Sequence, residues 1–228
     1  SLNIITNTGL YGAVDNKFLP AYAFEESADQ LADRWIDEFQ NGIEDTGIKP
    51  GFIKISVNPG KLSDLHEKLV RAAARTHKAT GLTISSHTGP ALPAFEEINI
   101  LKEEGVAPEA FVWVHAQNEK DLDQHIRAAR EGAWISFDGL NDSNMEEYLG
   151  MIINMRDAGY LHKVLLSHDA GWYTPGEAGG GDYRPHTVLT RDFIPFLLEN
   201  GLAANEIDIL VVKNPSEVYS IRKRLILE

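Results

Sequence analysis

Four residues able to bind metal or move protons stand in or at the ends of short apolar runs. They are Lys54 in Gly51-Phe52-Ile53-Lys54-Ile55-Ser56, His87 in Thr83-Ile84-Ser85-Ser86-His87, His115 in Phe111-Val112-Trp113-Val114-His115, and Asp169 in Val164-Leu165-Leu166-Ser167-His168-Asp169. A cationic amine within an apolar strand is costly to bury and almost never left unpaired. Imidazole and carboxylate donors suit a borderline ion such as zinc. Each residue alone has a plainer reading: a salt-bridged strand lysine, two hydrogen-bonded histidines, an aspartate capping the next segment. Together, on successive strands, they point to a site. Lys54 also leaves a Schiff-base lyase open, since a desolvated lysine can attack a carbonyl. That chemistry gives His87, His115 and Asp169 no role. A binding or inert scaffold is the non-catalytic alternative.

The elements that must position these residues alternate between β-branched runs of about five residues and amphipathic helical stretches, the pattern of βα units on a parallel sheet. Strands are expected near 3–8, 52–56, 83–87, 111–115, 134–138 and 163–168, and helices near 28–41, 63–79, 93–104, 119–131, 144–158, 190–199 and 215–226. Ser27 with Gln30 and Ser143 with Glu146 fit capping boxes, and Asn214-Pro215-Ser216-Glu217 fits a helix start. Gly81, Gly105, Gly132 and Gly201 stand where helices should end. No composition shift marks a boundary, so residues 1–228 read as one domain.

The glycine-rich segment 170–189 directly follows Asp169. That is the rim where parallel-sheet enzymes place their sites. Trp172 is placed to wall a pocket there, and Tyr183 and Arg184 offer a clamp for a carboxylate or phosphate. His168 should face away from Asp169, because strand neighbours point to opposite sides. His66, His77 and His125 read as surface or packing residues, His162 as structural, and His186 as a loop residue near the site.

A net charge of -13 argues against nucleic acid or an anionic membrane surface as partner. No apolar run reaches the roughly 18 residues of a membrane span. The lack of cysteine removes disulfides, thiolate nucleophiles and cysteine-ligated zinc. A small-molecule substrate is expected, with homodimerisation left open. A soluble protein, cytoplasmic or exported after signal removal, is compatible with the composition.

In this order the motifs resemble the phosphotriesterase-like branch of the amidohydrolase superfamily, over nearly the whole chain. Asn7-Thr8-Gly9-Leu10-Tyr11 resembles the end of that family's third strand, Phe52-Ile53-Lys54 its fourth, Ser86-His87-Thr88-Gly89 its fifth and Val114-His115 its sixth. Ile135-Ser136-Phe137-Asp138-Gly139 resembles the seventh, Leu166-Ser167-His168-Asp169 the eighth, and Asn214-Pro215 the start of the closing helix. The resemblance implies a (β/α)8 TIM barrel of which strands 3–8 are present. The family's first-strand His-x-His does not occur here, which implies that strands one and two lie upstream of Ser1.

It further implies a metal-dependent hydrolase with two divalent ions, zinc foremost. They would be held by Lys54 as N6-carboxylysine, by His87, by His115 and by Asp169, with Asp169 as general base. Tyr11 falls where resembling lactonases place an aromatic beside the metals. Together with Ser167-His168-Asp169 it favours a lactone over an organophosphate.

Overall fold

The computed structural model describes residues 3–226. Among them one parallel six-stranded sheet runs in chain order: β1 (Asn7–Thr8), β2 (Phe52–Ser56), β3 (Thr83–His87), β4 (Phe111–Val114), β5 (Trp134–Phe137) and β6 (Val164–Leu166). Each strand pairs with its predecessor, the outcome of short βα crossovers, so β1 and β6 are the two edges. Register sets Lys54 beside Ser85 and His87 beside both Ser56 and Val114. The connecting helices are α1 (Tyr22–Glu25), α2 (Ala28–Asn41), α3 (Asp64–Thr80), α4 (Ala91–Glu103), α5 (Leu122–Glu131) and α6 (Met145–Asp157). After β6 come α7 (Ile194–Glu199), α8 (Ala204–Asp208) and α9 (Asn214–Val218). No described helix is long and apolar enough to cross a membrane.

Alternation along the strands divides the sheet into two faces. Ile53, Ile55, Ile84, Phe111, Trp113, Ile135 and Phe137 pack outward against the helices in the main core, while Val112, Trp134, Leu165 and Val218 form a separate inner cluster. Ser27 accepts a hydrogen bond from the Gln30 N–H and donates its own N–H to the Gln30 side chain, so the expected capping box starts α2. Gly81 ends α3 at φ 80°, and a Cβ there would meet the backbone of Arg222.

Three local expectations change. Ser143 does not cap α6: its hydroxyl donates to Asn141 Oδ1 (2.6 Å), and the helix starts one residue later, behind Asn144. The strand expected over 3–8 pairs only at Asn7–Thr8, and α1 was not foreseen. The closing helix expected over 215–226 is displaced. Helical backbone begins at Ala204, passes through a π-helical turn at Ile209–Lys213 and ends at Val218. Pro215 has no N–H to give, and a widened turn before it absorbs the missing bond. Pro195 likewise follows a π-helical turn, Leu189–Phe193. Asn214 lies within this run, its buried amide donating to the carbonyls of Leu161 (2.9 Å) and Val164 (2.7 Å) and tying the helix to the start of β6. Beyond Val218 the chain turns back, Leu225 bridging Val106.

Candidate active site at the strand ends

Strands β2 to β6 deliver their polar residues into one cavity of about 710 Å³. Lys54, His87, His115 and Asp169 all line it, as do Tyr11 and Trp172. Its remaining wall includes Val14, Phe18, Phe52, Ser85, Ser136, Asp138 and Tyr219. Small polar residues at inward positions of otherwise apolar strands, Ser85 and Ser136, make the space.

Lys54 points inward because its neighbours Ile53 and Ile55 are fully buried on the opposite face. Removal from water lowers its pKa to about 8, against the opposing pull of Asp138, Asp169 and Glu97. A useful fraction of the amine is therefore neutral near physiological pH.

His87 ends β3 within a chain of polar contacts. Its Nδ1 lies 2.7 Å from His115 Nε2 and 3.2 Å from the Tyr11 hydroxyl. Burial, the neighbouring His115 and the charge of Lys54 lower its pKa to about 4, so the ring is neutral. The Tyr11 hydroxyl is pushed up by burial and then by the charge of Asp169.

His115 lies just past β4 in the left-handed region, at φ 62°. Its N–H leaves the ladder and donates to Asp138 Oδ2 (2.9 Å), while its Nδ1–H meets Asp138 Oδ1 at 2.6 Å. Asp138 also accepts from Ser136 Oγ (2.9 Å) and Gln117 Nε2 (3.0 Å). Burial acts to raise the Asp138 carboxyl, but these bonds, His115 foremost, outweigh it and hold it below the ordinary carboxylate range. An ionised Asp138 fixes the proton of His115 on Nδ1 and leaves Nε2 as the acceptor that faces His87 Nδ1.

Asp169 is also left-handed, at φ 45°. Its carbonyl accepts from Trp172 Nε1 (2.9 Å) and Arg184 Nη2 (2.7 Å), and the same Arg184 nitrogen donates to the His168 carbonyl (2.7 Å). Arg184 therefore braces the backbone that carries Asp169. Neither it nor the exposed Tyr183 is among the residues lining the cavity, so the expected anion clamp is not brought to it. His168 faces the opposite way from Asp169, as expected, its Nε2 accepting from the Leu189 N–H (2.9 Å). His66, His77 and His125 are buried packing residues bonded to backbone carbonyls.

The sequence reading gave no role to Asp138, Phe18 or Val14. Asp138 carried a signal, an acid directly ending the Trp134–Phe137 strand. Phe18 and Val14 sit in the irregular loop after β1, where no periodicity marks a facing side.

The phosphotriesterase family description matches residues 1–219. The phosphotriesterase homology protein of Escherichia coli is 31% identical over 222 residues, covering 96% of this chain and 74% of that protein. The chain belongs to the phosphotriesterase family. The aryldialkylphosphatase of Saccharolobus solfataricus is 32% identical over 235 residues, covering 96% of this chain and 72% of the relative. The crystal structure of the Escherichia coli protein, with phosphate in its active site, superposes with a TM-score of 0.87 at 29% identity, covering 96% of this chain and 75% of that one. That of the lactonase Lmo2620 of Listeria monocytogenes gives 0.81 at 26% identity, covering 96% and 74%. These neighbours make the fold a phosphotriesterase-type TIM barrel, and the chain a hydrolase of this family.

Members of the family generally depend on two metal ions. Among the described residues no three His, Asp or Glu side chains are grouped to hold an ion; the two site imidazoles bond each other instead. The donor chemistry nevertheless fits. His87 is neutral, His115 has the carboxylate partner typical of ligating histidines, and Lys54 brings to the same cavity an amine whose pKa burial lowers.

Proposed function

We propose that this protein is a metal-dependent hydrolase of an ester, a lactone foremost, and that residues 1–228 all belong to a single barrel domain. The observation that carries the reading is the convergence of Lys54, His87, His115 and Asp169 on a single cavity walled by Tyr11, Phe18 and Trp172. His87, His115, Asp169 and Lys54 as N6-carboxylysine would contribute ligands to two divalent ions, zinc by donor type, the second of which needs the family's first-strand histidines as well. Such ions, when bound, lower the pKa of water and polarise the ester carbonyl. Asp169, braced from behind by Arg184, takes the proton of the attacking water and returns it to the leaving alkoxide. Tyr11, at the mouth of the histidine pair, donates a hydrogen bond to the ester, and Trp172 with Phe18 covers its apolar part. A phosphotriester is the second substrate class, supported by the likeness to an aryldialkylphosphatase.

The test is a parallel assay of a lactone panel and an aryl phosphotriester on protein supplied with zinc and bicarbonate. Metal content and the intact mass of Lys54 peptides are followed alongside. Lactone turnover that tracks zinc occupancy is expected. Turnover indifferent to metal, with Lys54 trapped by borohydride on a carbonyl compound, would transfer the site to Schiff-base chemistry, which a free amine lowered to about 8 also permits.

A further inference from the structure

Behind His87, on the helix side of the sheet, α4 carries a carboxylate that the site does not use. Glu97 is 0% exposed and lies on the buried face of its helix with Ala94, Ile98 and Leu101. Its two oxygens are divided between two residues: Oε1 accepts from Ser86 Oγ and Oε2 from Thr88 Oγ1 (2.6 Å). Ser86 and Thr88 are the chain neighbours of His87 on either side. We infer that Glu97 is a positioning residue for His87, gripping the backbone before and after it and so fixing the angle at which its imidazole enters the cavity.

The argument is one of cost and geometry. A carboxylate in an apolar layer is disfavoured, and a methionine or leucine would fill the same space without desolvating a charge. The groups that favour its ionised form are the two hydroxyls and, more weakly, the charge of Lys54. Its bonds therefore serve the strand end rather than an ion pair. Strand alternation directs Ser86 and Thr88 outward to Glu97 whenever His87 points inward. The Thr88 hydroxyl also reaches the Ser86 carbonyl (3.0 Å), and the His87 ring itself meets Tyr11 (3.2 Å) and His115 (2.7 Å) inside the cavity. Backbone bonds run along the rim: the His87 carbonyl accepts from the Val57 N–H (3.0 Å), and the Val114 carbonyl accepts from the Gly89 N–H (3.1 Å). These fix the height of the segment. The carboxylate adds the fixed point that resists twisting about the strand axis.

The inference rests on the proposed hydrolase reading for its catalytic meaning, but not for its measurement. The test compares the parent chain with Glu97→Met, Glu97→Gln and Ser86→Ala, following thermal stability, imidazole NMR of His87 in metal-free protein, cobalt(II) affinity by chelator competition, and lactone turnover. Glu97→Met is expected to keep the melting temperature, shift the His87 ring resonances and weaken cobalt binding about ten- to hundredfold, the usual scale for groups that orient metal ligands. Glu97→Gln, which can still accept one hydroxyl, should recover part of that loss. Should Glu97→Met fail to fold, Ser86→Ala cuts one arm of the grip and carries the same test at smaller size. Parent-like His87 resonances in folded Glu97→Met or in Ser86→Ala would overturn the inference whatever the metal data show. Shifted resonances in a protein whose parent binds no cobalt and hydrolyses no lactone would sustain it while removing the hydrolase reading.

Discussion

On the outer face of the sheet Ile53, Ile55, Ile84, Phe111, Trp113, Ile135 and Phe137 are all fully buried against helices, whereas the inner face changes character along its length. Near the strand starts it is apolar, with Val112, Trp134 and Leu165 against Val218. Toward the strand ends it becomes Lys54, Ser85, His87, Ser136 and Asp138 around open space. One backbone therefore performs two tasks at alternate residues. The outer positions supply stability by burial, and the inner ends give part of it up to hold titratable groups half out of water.

If that division holds, substitutions on the two faces should fail in different assays. Asp169→Asn should lower turnover by about 10²–10⁴, the scale of general-base removal, with an unchanged melting curve; loss of fold instead would place Asp169 with the structural residues. Trp113→Ala, on the outer face, should cost about 3–5 kcal/mol in denaturant unfolding, more if the Gly89 carbonyl it binds is left unpaired. A Trp113→Ala protein of parental stability but no turnover would reverse the assignment of faces.

Glu97, a buried carboxylate on the helix side of the sheet, sharpens the comparison. Burial raises its pKa to about 7 from an ordinary 4.5. Between those values the folded chain keeps a proton that the unfolded chain has released, so this residue's contribution to stability falls as pH rises through that window. At about 1.4 kcal/mol per unit the change is on the order of 3 kcal/mol. The difference between unfolding free energies of the parent and Glu97→Gln, measured in metal-free protein across that range, should trace it. A flat difference would mean that the hydroxyls of Ser86 and Thr88 already compensate burial. The smallest effect is expected at Arg184→Ala, which leaves every cavity residue in place and loosens only the backbone under Asp169. Roughly tenfold in kcat, corresponding to about 1.4 kcal/mol of hydrogen bonding to a charged group, with little change in stability, would fit a brace. A rise confined to KM would restore Arg184 to substrate contact.

Much of this was legible in the chain. The cost of burying an amine within an apolar strand singled out Lys54, and period-two alternation separated His168 from Asp169. Gly81, Gly105, Gly132 and Gly201 marked the ends of α3, α4, α5 and α7. What escaped depended on contacts between segments. Arg184 is a surface-loop arginine until the carbonyls of His168 and Asp169 come within reach. Glu97 has the sequence context of any helical glutamate, because only the packing of α4 on β3 makes it buried. Asn214-Pro215 looked like a helix start because local rules do not foresee a π-helical turn that lets a proline sit within a helical run.

The left-handed backbone at His115 and Asp169 has a consequence for how this site can change. Away from glycine, that conformation is tolerated chiefly by asparagine, aspartate and histidine. Two corners of the cavity thereby favour side chains that include good ligands and proton carriers. A glutamate or cysteine introduced there would carry a conformational cost of about 1–2 kcal/mol that aspartate and histidine in part avoid. Lys54 and His87, in extended strands, carry no such restriction. Redesign of specificity or metal choice should therefore begin on β2 and β3, leaving the ends of β4 and β6 as the fixed points of the scaffold.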